Sequence, residues 1–169
     1  MFIDTNNIGE KGLSIADSIA LDENLLVEEG SFFLEDLDYD VHFSRSDNQI
    51  NAKGYINTAI SLPCARCLEE FEFKVNSNFD VVLFPSNLVT SANISLTDED
   101  MEYIFYEDQK INLVKFLVEQ VNLFVPFAPL CIPECKGICA NCGTNLNYGQ
   151  CKCENSVNEL NILFNKLKR

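Results

Sequence analysis

The chain has 169 residues, a length that buries roughly 70% of its unfolded surface on folding into one domain, and its 26 Asp+Glu against 12 Lys+Arg give a formal net charge of −14. That balance excludes holding polyanions by bulk charge, because phosphate backbones are bound by Lys and Arg that displace counterions. No stretch approaches the roughly 18 consecutive apolar residues of a membrane helix, and the start Met1-Phe2-Ile3-Asp4-Thr5-Asn6 lacks the basic flank and apolar run of a signal peptide, so a cytoplasmic protein without membrane contact is expected.

Charge is divided along the chain. Residues 1–109 hold 22 acidic and 5 basic residues, whereas residues 110–169 hold 4 acidic and 7 basic ones. The acidic part reads either as a solvated surface or as a device that selects a basic partner.

From Phe32 to Phe84 the dominant period is two. Tyr39, Val41 and Phe43 alternate with Asp38, Asp40 and His42. After the turn-like Arg45-Ser46-Asp47-Asn48, Ile50, Ala52, Ile56, Ile60 and Leu62 alternate with Asn51, Lys53, Asn57 and Ser61. A third run sets Phe71, Phe73, Val75, Phe79, Val81 and Leu83 against Glu72, Lys74, Asn76, Asn78 and Asp80. These patterns predict half-buried antiparallel strands. Gly54 within the second strand predicts a bulge or a close backbone approach, and with it a curved, barrel-like sheet.

Residues 85–100 are polar and weakly periodic, which predicts a mobile loop, and a short strand is expected within residues 101–106. Asn112 has the character of a helix N-cap, with Leu113, Phe116, Leu117, Gln120, Val121 and Phe124 forming a helical stripe up to Pro126. Ser156-Val157-Asn158-Glu159 is a capping-box pattern, and Leu160, Leu163, Phe164 and Leu167 predict an amphipathic C-terminal helix. The expected fold is α+β: a curved antiparallel sheet with a packed helix in residues 1–125, joined as one unit to a cysteine-rich zinc module plus the C-terminal helix in residues 126–169.

The 8 cysteines fall in two places, Cys64 and Cys67, then Cys131, Cys135, Cys139, Cys142, Cys151 and Cys153. Thiolates at C-x2-C spacing grip one tetrahedral ion from a single turn, and four of them close a structural zinc site. Ligand counting pairs Cys139 and Cys142 with Cys151 and Cys153 as a local site. It leaves Cys64 and Cys67 to be completed by Cys131 and Cys135, a long-range site stapling the hairpin to the C-terminal module. Other combinations of the six C-terminal cysteines also supply four ligands, and thiophilic tetrahedral sites accept iron or an iron–sulfur cluster as well as zinc.

Disulfides would need an oxidising compartment, for which no signal sequence argues. A redox role for Cys64-Ala65-Arg66-Cys67 would draw on Arg66 to lower a thiol pKa, yet this pair lies between strands and not at a helix start. His42, the single histidine, reads as a solvated strand residue. Four thiolates leave no open metal position to activate water, so the reading is against an enzyme and against a small-molecule substrate.

Two motifs carry a resemblance. They are Cys64-Ala65-Arg66-Cys67-Leu68-Glu69, and Pro129-Leu130-Cys131 running through Cys135-Lys136-Gly137-Ile138-Cys139-Ala140-Asn141-Cys142-Gly143-Thr144-Asn145-Leu146-Asn147 to Cys151-Lys152-Cys153. Together they resemble the bacterial YceD family, the large ribosomal RNA subunit accumulation proteins. Asn112 stands where that family tends to have an acidic cap, and Ile138 and Ala140 replace a common Leu and Pro.

The resemblance implies a cytoplasmic, non-enzymatic role in synthesis, processing or stability of large-subunit ribosomal RNA. Two kinds of partner contact follow: a local basic patch of Arg66, Lys136 and Lys152 on rRNA, or the acidic sheet docking a basic ribosomal protein or assembly factor on a ribosomal precursor. The net charge favours the second. A redox-sensing protein whose clusters release metal on oxidation is the competing function.

Overall fold

A computed structural model describes residues 1–21, 25–47, 49–86, 103–151 and 153. The three long runs of alternating residues form the strands they predict: β4 (Leu37–Ser46), β5 (Gln49–Pro63) and β6 (Glu70–Pro85). Before them come β1 (Phe2–Asp4), β2 (Leu13–Ile19) and the short β3 (Phe32–Phe33). After them come β7 (Tyr103–Tyr106), β8 (Lys110–Asn112) and the helix α1 (Leu113–Phe124).

The main sheet has the order β2-β4-β5-β6-β7, with β3 also paired to β5, and β1 and β8 form a separate two-stranded ribbon. Every pair is antiparallel except β6 with β7, which run parallel. The sheet is therefore mixed and open, a correction to the barrel-like antiparallel expectation. A barrel needs its terminal strands to pair, whereas β2 and the four-residue β7 end opposite edges of this path. Nor does Gly54 form a bulge, since β4–β5 and β5–β6 keep one register along their whole length.

Gly54 instead permits close approach. It stands between Val41 and Phe79 in register, and a Cβ there would lie 2.8 Å from the Phe79 ring and against the Asp40 carbonyl. The freed space lets Phe79 lie over the backbone and meet Phe116 of α1 edge-on, with ring centroids 5.5 Å apart; Phe43 packs on the same ring at 6.1 Å.

The helix begins where Asn112, extended at φ −78°, turns its side chain to accept from the Lys115 N–H at 3.2 Å. It ends because Val125 precedes Pro126 and is held extended (φ −69°, ψ 121°). Leu113, Phe116, Leu117, Val118, Gln120 and Val121 are buried against the core face of the sheet. Each large apolar side chain so covered contributes roughly 1.5–3 kcal/mol. Phe124, expected on the buried stripe, is 37% exposed.

The opposite face of the sheet carries Asp38, Asp40, His42, Lys53, Glu72, Lys74 and Asp80. Lys53 pairs with Asp80 at 2.8 Å and Lys74 with Glu72 at 3.3 Å. His42 is exposed, with Nδ1 2.8 Å from the Ser14 hydroxyl. No helix among the described residues is long and apolar enough to cross a membrane. The expected loop over residues 85–100 falls mainly outside the described residues, apart from Pro85 and Ser86, and the expected C-terminal helix falls wholly outside them.

Candidate metal centres

The β5–β6 hairpin closes at Pro63 and Glu70 and carries Cys64 and Cys67 on its connection. Two backbone bonds shape this turn: Cys64 N–H donates to the Glu69 carbonyl and Leu68 N–H donates to the Cys64 carbonyl, both at 2.9 Å. Leu68 takes a left-handed conformation (φ 63°) that lets the chain return. The Cys139–Cys142 turn repeats this pattern. Cys139 N–H donates to Thr144 at 2.8 Å, Gly143 N–H donates to Cys139 at 2.9 Å, and Gly143 sits at φ 71°. The chain thus builds one knuckle twice, with glycine at the left-handed position in one and leucine in the other. Such bonds turn both thiols of each pair to one side.

Each knuckle faces a second cysteine pair. Cys64, Cys67, Cys131 and Cys135 have all four Sγ atoms within 4.8 Å of one another, as do Cys139, Cys142, Cys151 and Cys153. Cys64 to Cys135 is 3.7 Å, Cys67 to Cys131 is 3.6 Å and Cys151 to Cys139 is 3.4 Å. A tetrahedron of about 2.3 Å metal–sulfur bonds has edges of about 3.8 Å, so the first centre already has ligand spacing and the second is close to it. These groupings are the ones that cysteine counting gave.

The two centres differ in surroundings. Cys64, Cys67 and Cys135 are buried beside Phe71 and Leu130, with Cys131 half-buried. In the second, Cys142 is exposed and the other three are half-buried. Burial pushes the Cys64 thiol up, but backbone N–H groups of Cys131, Cys67 and Arg66 outweigh it and bring the pKa to about 6. Burial and the neighbouring Cys67 thiol push Cys131 to about 12. Cys142 is lowered to about 6, first by the Thr144 hydroxyl, 3.1 Å from its sulfur. In the first cluster the Asn147 side chain lowers Cys135 as well, whereas in the second the neighbouring Cys142 thiol raises Cys153 to about 12.

Contacts bind the module to the sheet. Ala65 N–H donates to the Pro129 carbonyl at 2.8 Å, and Tyr148 donates its hydroxyl proton to Glu69 Oε2 at 2.7 Å. Of the proposed partner-binding residues, Arg66 spends Nη1 on the Cys135 carbonyl at 2.8 Å. Lys136 is exposed beside a groove lined by Asn147 and Tyr148. Lys152 lies outside the described residues.

Sequence reasoning placed Asn147 at the end of the second motif's knuckle run but gave it no role. Its Nδ2 donates to Cys135 Sγ at 3.2 Å while its Oδ1 accepts from Lys136 N–H at 2.8 Å. Asn147 thus neutralises part of a thiolate's charge in the first centre from a position beyond the second knuckle. No spacing rule marks such a residue; only the Ile138–Asn145 bridge and the Leu146 N–H to Gly137 carbonyl bond bring it there.

An open mixed sheet stapled to a segment with two four-cysteine clusters defines a class of small cysteine-centred proteins. Residues 52–169 match the family model "Large ribosomal RNA subunit accumulation protein YceD", and the chain belongs to that family. Among curated proteins it is 28% identical over 131 residues to the chloroplastic YCED homolog 1 of Arabidopsis thaliana, covering 64% of this chain and 41% of that one. It is 23% identical over 138 residues to the Zea mays homolog, covering 68% and 47%. An uncharacterized protein of Mycobacterium tuberculosis strain H37Rv is 28% identical over 125 residues, covering 73% and 56%. The chain spans about half the length of these relatives. No solved structure matches it.

Proposed function

We propose that this chain is a non-enzymatic zinc-binding factor in accumulation, processing or assembly of large-subunit ribosomal RNA, acting in the cytoplasm. The family match over residues 52–169 carries this reading, because that span includes both four-cysteine centres. Zinc suits the donor set: four thiolates at tetrahedral spacing form a closed structural site with no position left for reacting water. With a net charge of −14, the chain acts by docking a basic ribosomal protein or assembly factor on the precursor, and Arg66 and Lys136 serve any local rRNA contact.

The test is complementation of a strain lacking the gene. Wild type should restore the ratio of large- to small-subunit rRNA, and Cys64→Ser/Cys67→Ser should not. Full restoration by that variant, expressed at the same level, defeats the reading.

The exposed Cys142 favours one alternative, a thiol sensor whose second centre releases metal on oxidation. Under mild peroxide the sensor loses one metal reversibly with a change in rRNA accumulation. A structural centre keeps its metal or loses it without consequence.

A further inference from the structure

The loop that joins the two ligand pairs of the second centre lies against the first. Residues 143–150 run from Cys142 to Cys151. Within them Asn147 donates from Nδ2 to Cys135 Sγ at 3.2 Å, and Tyr148 donates its hydroxyl proton to Glu69 Oε2 at 2.7 Å. Both acceptors belong to the first centre. Cys135 is one of its four thiols, and the Glu69 carbonyl closes its knuckle by accepting from the Cys64 N–H.

A ladder of bonds ties this loop to the second knuckle. From the tip inward, Gly143 N–H donates to the Cys139 carbonyl, Cys139 N–H to Thr144 and Leu146 N–H to Gly137, with Ile138 and Asn145 bridged between them. At the inner end Lys136 N–H donates to Asn147 Oδ1 at 2.8 Å, and Asn147 N–H donates to Asn145 Oδ1 at 2.9 Å. With Oδ1 so held, the Asn147 amide turns its Nδ2 donor to the sulfur. The far side of the ladder is wedged on the first knuckle. A Cβ on Gly137 would stand 3.0 Å from the Arg66 carbonyl, and Arg66 Nη1 donates to the Cys135 carbonyl at 2.8 Å.

The loop is thus supported unequally. The ladder fixes one end, whereas among the described residues no backbone–backbone bond holds Tyr148 to Cys151. Ligation of one ion by Cys139, Cys142, Cys151 and Cys153, whose Sγ atoms lie within 4.8 Å of one another, anchors that other end. A ligand that loses its supporting hydrogen bond holds its metal less firmly.

We propose that the two centres are coupled through residues 143–150: ligation at the second holds Asn147 on Cys135, so the first centre binds more tightly and releases more slowly while the second is filled. Asn147 is the positioning residue for this coupling. Because Cys142 is exposed and the first centre is mostly buried, the second centre empties first. Its occupancy then sets how firmly the hairpin is stapled to the module. The inference goes beyond the functional reading above and rests on it only for metal at both centres.

The probe is Cd(II), a thiophilic ion visible by NMR, loaded on the full chain to saturation. Wild type should give two ¹¹³Cd resonances, assigned by their loss in Cys64→Ser/Cys67→Ser and in Cys139→Ser/Cys142→Ser. Asn147→Ala should move the first-centre resonance, leave the second in place and speed transfer from the first centre to a chelator by about 10–100-fold. Emptying the second centre with Cys139→Ser/Cys142→Ser should speed that transfer by a similar factor. Adding Asn147→Ala in that background should then add no more than about twofold, because the supporting bond is already lost. Coupling of affinities is reciprocal, so in equilibrium competition each centre should bind more weakly by one common factor when the other is emptied. Tyr148→Phe keeps all eight cysteines and so separates coupling from loss of the module's fold. It should retain both resonances and speed first-centre transfer about threefold.

Two resonances with first-centre transfer unaffected by emptying the second centre and by Tyr148→Phe overturn the proposal. So does an Asn147→Ala effect of equal size in both backgrounds, which makes the asparagine a local support only. These outcomes leave the zinc reading standing, whereas one metal or none at saturation overturns both. Coupling as stated, with normal rRNA accumulation in the Cys64→Ser/Cys67→Ser strain, defeats the proposed function alone.

Discussion

Removing one knuckle at a time separates the two centres energetically. The first centre joins residues 64 to 71 positions apart, whereas the Cys139–Cys151 contact of the second spans 12. Treating each bound metal as a cross-link, the loop-closure entropy denied to the unfolded chain is worth about 4.4 kcal/mol for the first and about 2.8 kcal/mol for the second. Burial of Cys64, Cys67 and Cys135 against Phe71 and Leu130 adds to the first only. Cys64→Ser/Cys67→Ser should therefore destabilise more than Cys139→Ser/Cys142→Ser by at least ~1.5 kcal/mol, or roughly 3–6 °C in unfolding midpoint for a chain of this size. Elemental analysis of protein purified without added metal should give two zincs for wild type and one for either variant. Scanning calorimetry then gives the order of stabilities. An unchanged zinc content in the first variant, or a larger loss of stability in the second, refutes the staple reasoning.

Asn147→Ala should speed zinc transfer from the first centre to a chromogenic chelator by about 10–100-fold, the usual cost of removing a group that supports a ligand, with the zinc content at purification unchanged. Leu68→Gly should stabilise the metal-loaded protein by about 0.5–1 kcal/mol in a denaturant titration, because relief of the left-handed strain exceeds the added chain entropy. Gly54→Ala should cost about 3 kcal/mol or more by the same measurement, since the new methyl group collides with the Asp40 backbone carbonyl as well as with the Phe79 ring that packs on Phe116. Zinc uptake should release protons, and affinity should fall as pH falls, because thiols must ionise to bind; calorimetric binding enthalpies in buffers of differing ionisation heat will show it.

The sequence was most informative where one periodicity ran long enough to outweigh local exceptions. Strands β4, β5 and β6 each bury one alternating set, and the Asn112 cap, the apolar stripe and Pro126 bracket the helix. It was least informative where tertiary contacts override the pattern. In β2, Asp17 sits in register with Tyr39 on the core side and breaks the apolar alternation. β1 and β8 hold three residues each and exist by pairing with one another. Ser61, expected on the open face, is buried because β3 sets Phe32 beside it.

Phe124 belongs to the helical stripe by spacing, but the cover of sheet and strand ends before the last turn reaches it. The cysteine groupings were legible because proximity along the chain sets Cys139 and Cys142 with Cys151 and Cys153, and ligand counting then leaves Cys131 and Cys135 for Cys64 and Cys67. The role of Asn147 was not, because a donor to sulfur is placed by the fold and not by distance along the chain.

The asymmetry of loop lengths also orders the assembly of the molecule in time. A 12-residue closure is an event of tens to hundreds of nanoseconds, while contacts across 64 residues wait on the collapse of the sheet. Loop length therefore favours the Cys139–Cys153 cluster as the earlier to close. Because the same short segment carries Cys135 and is bonded to Asn147, that cluster presents a ligand and its supporting amide already in place when the hairpin tip arrives. The late, long-range closure then inherits a half-built socket, and a metal held at the local centre would lower the entropic barrier to the second.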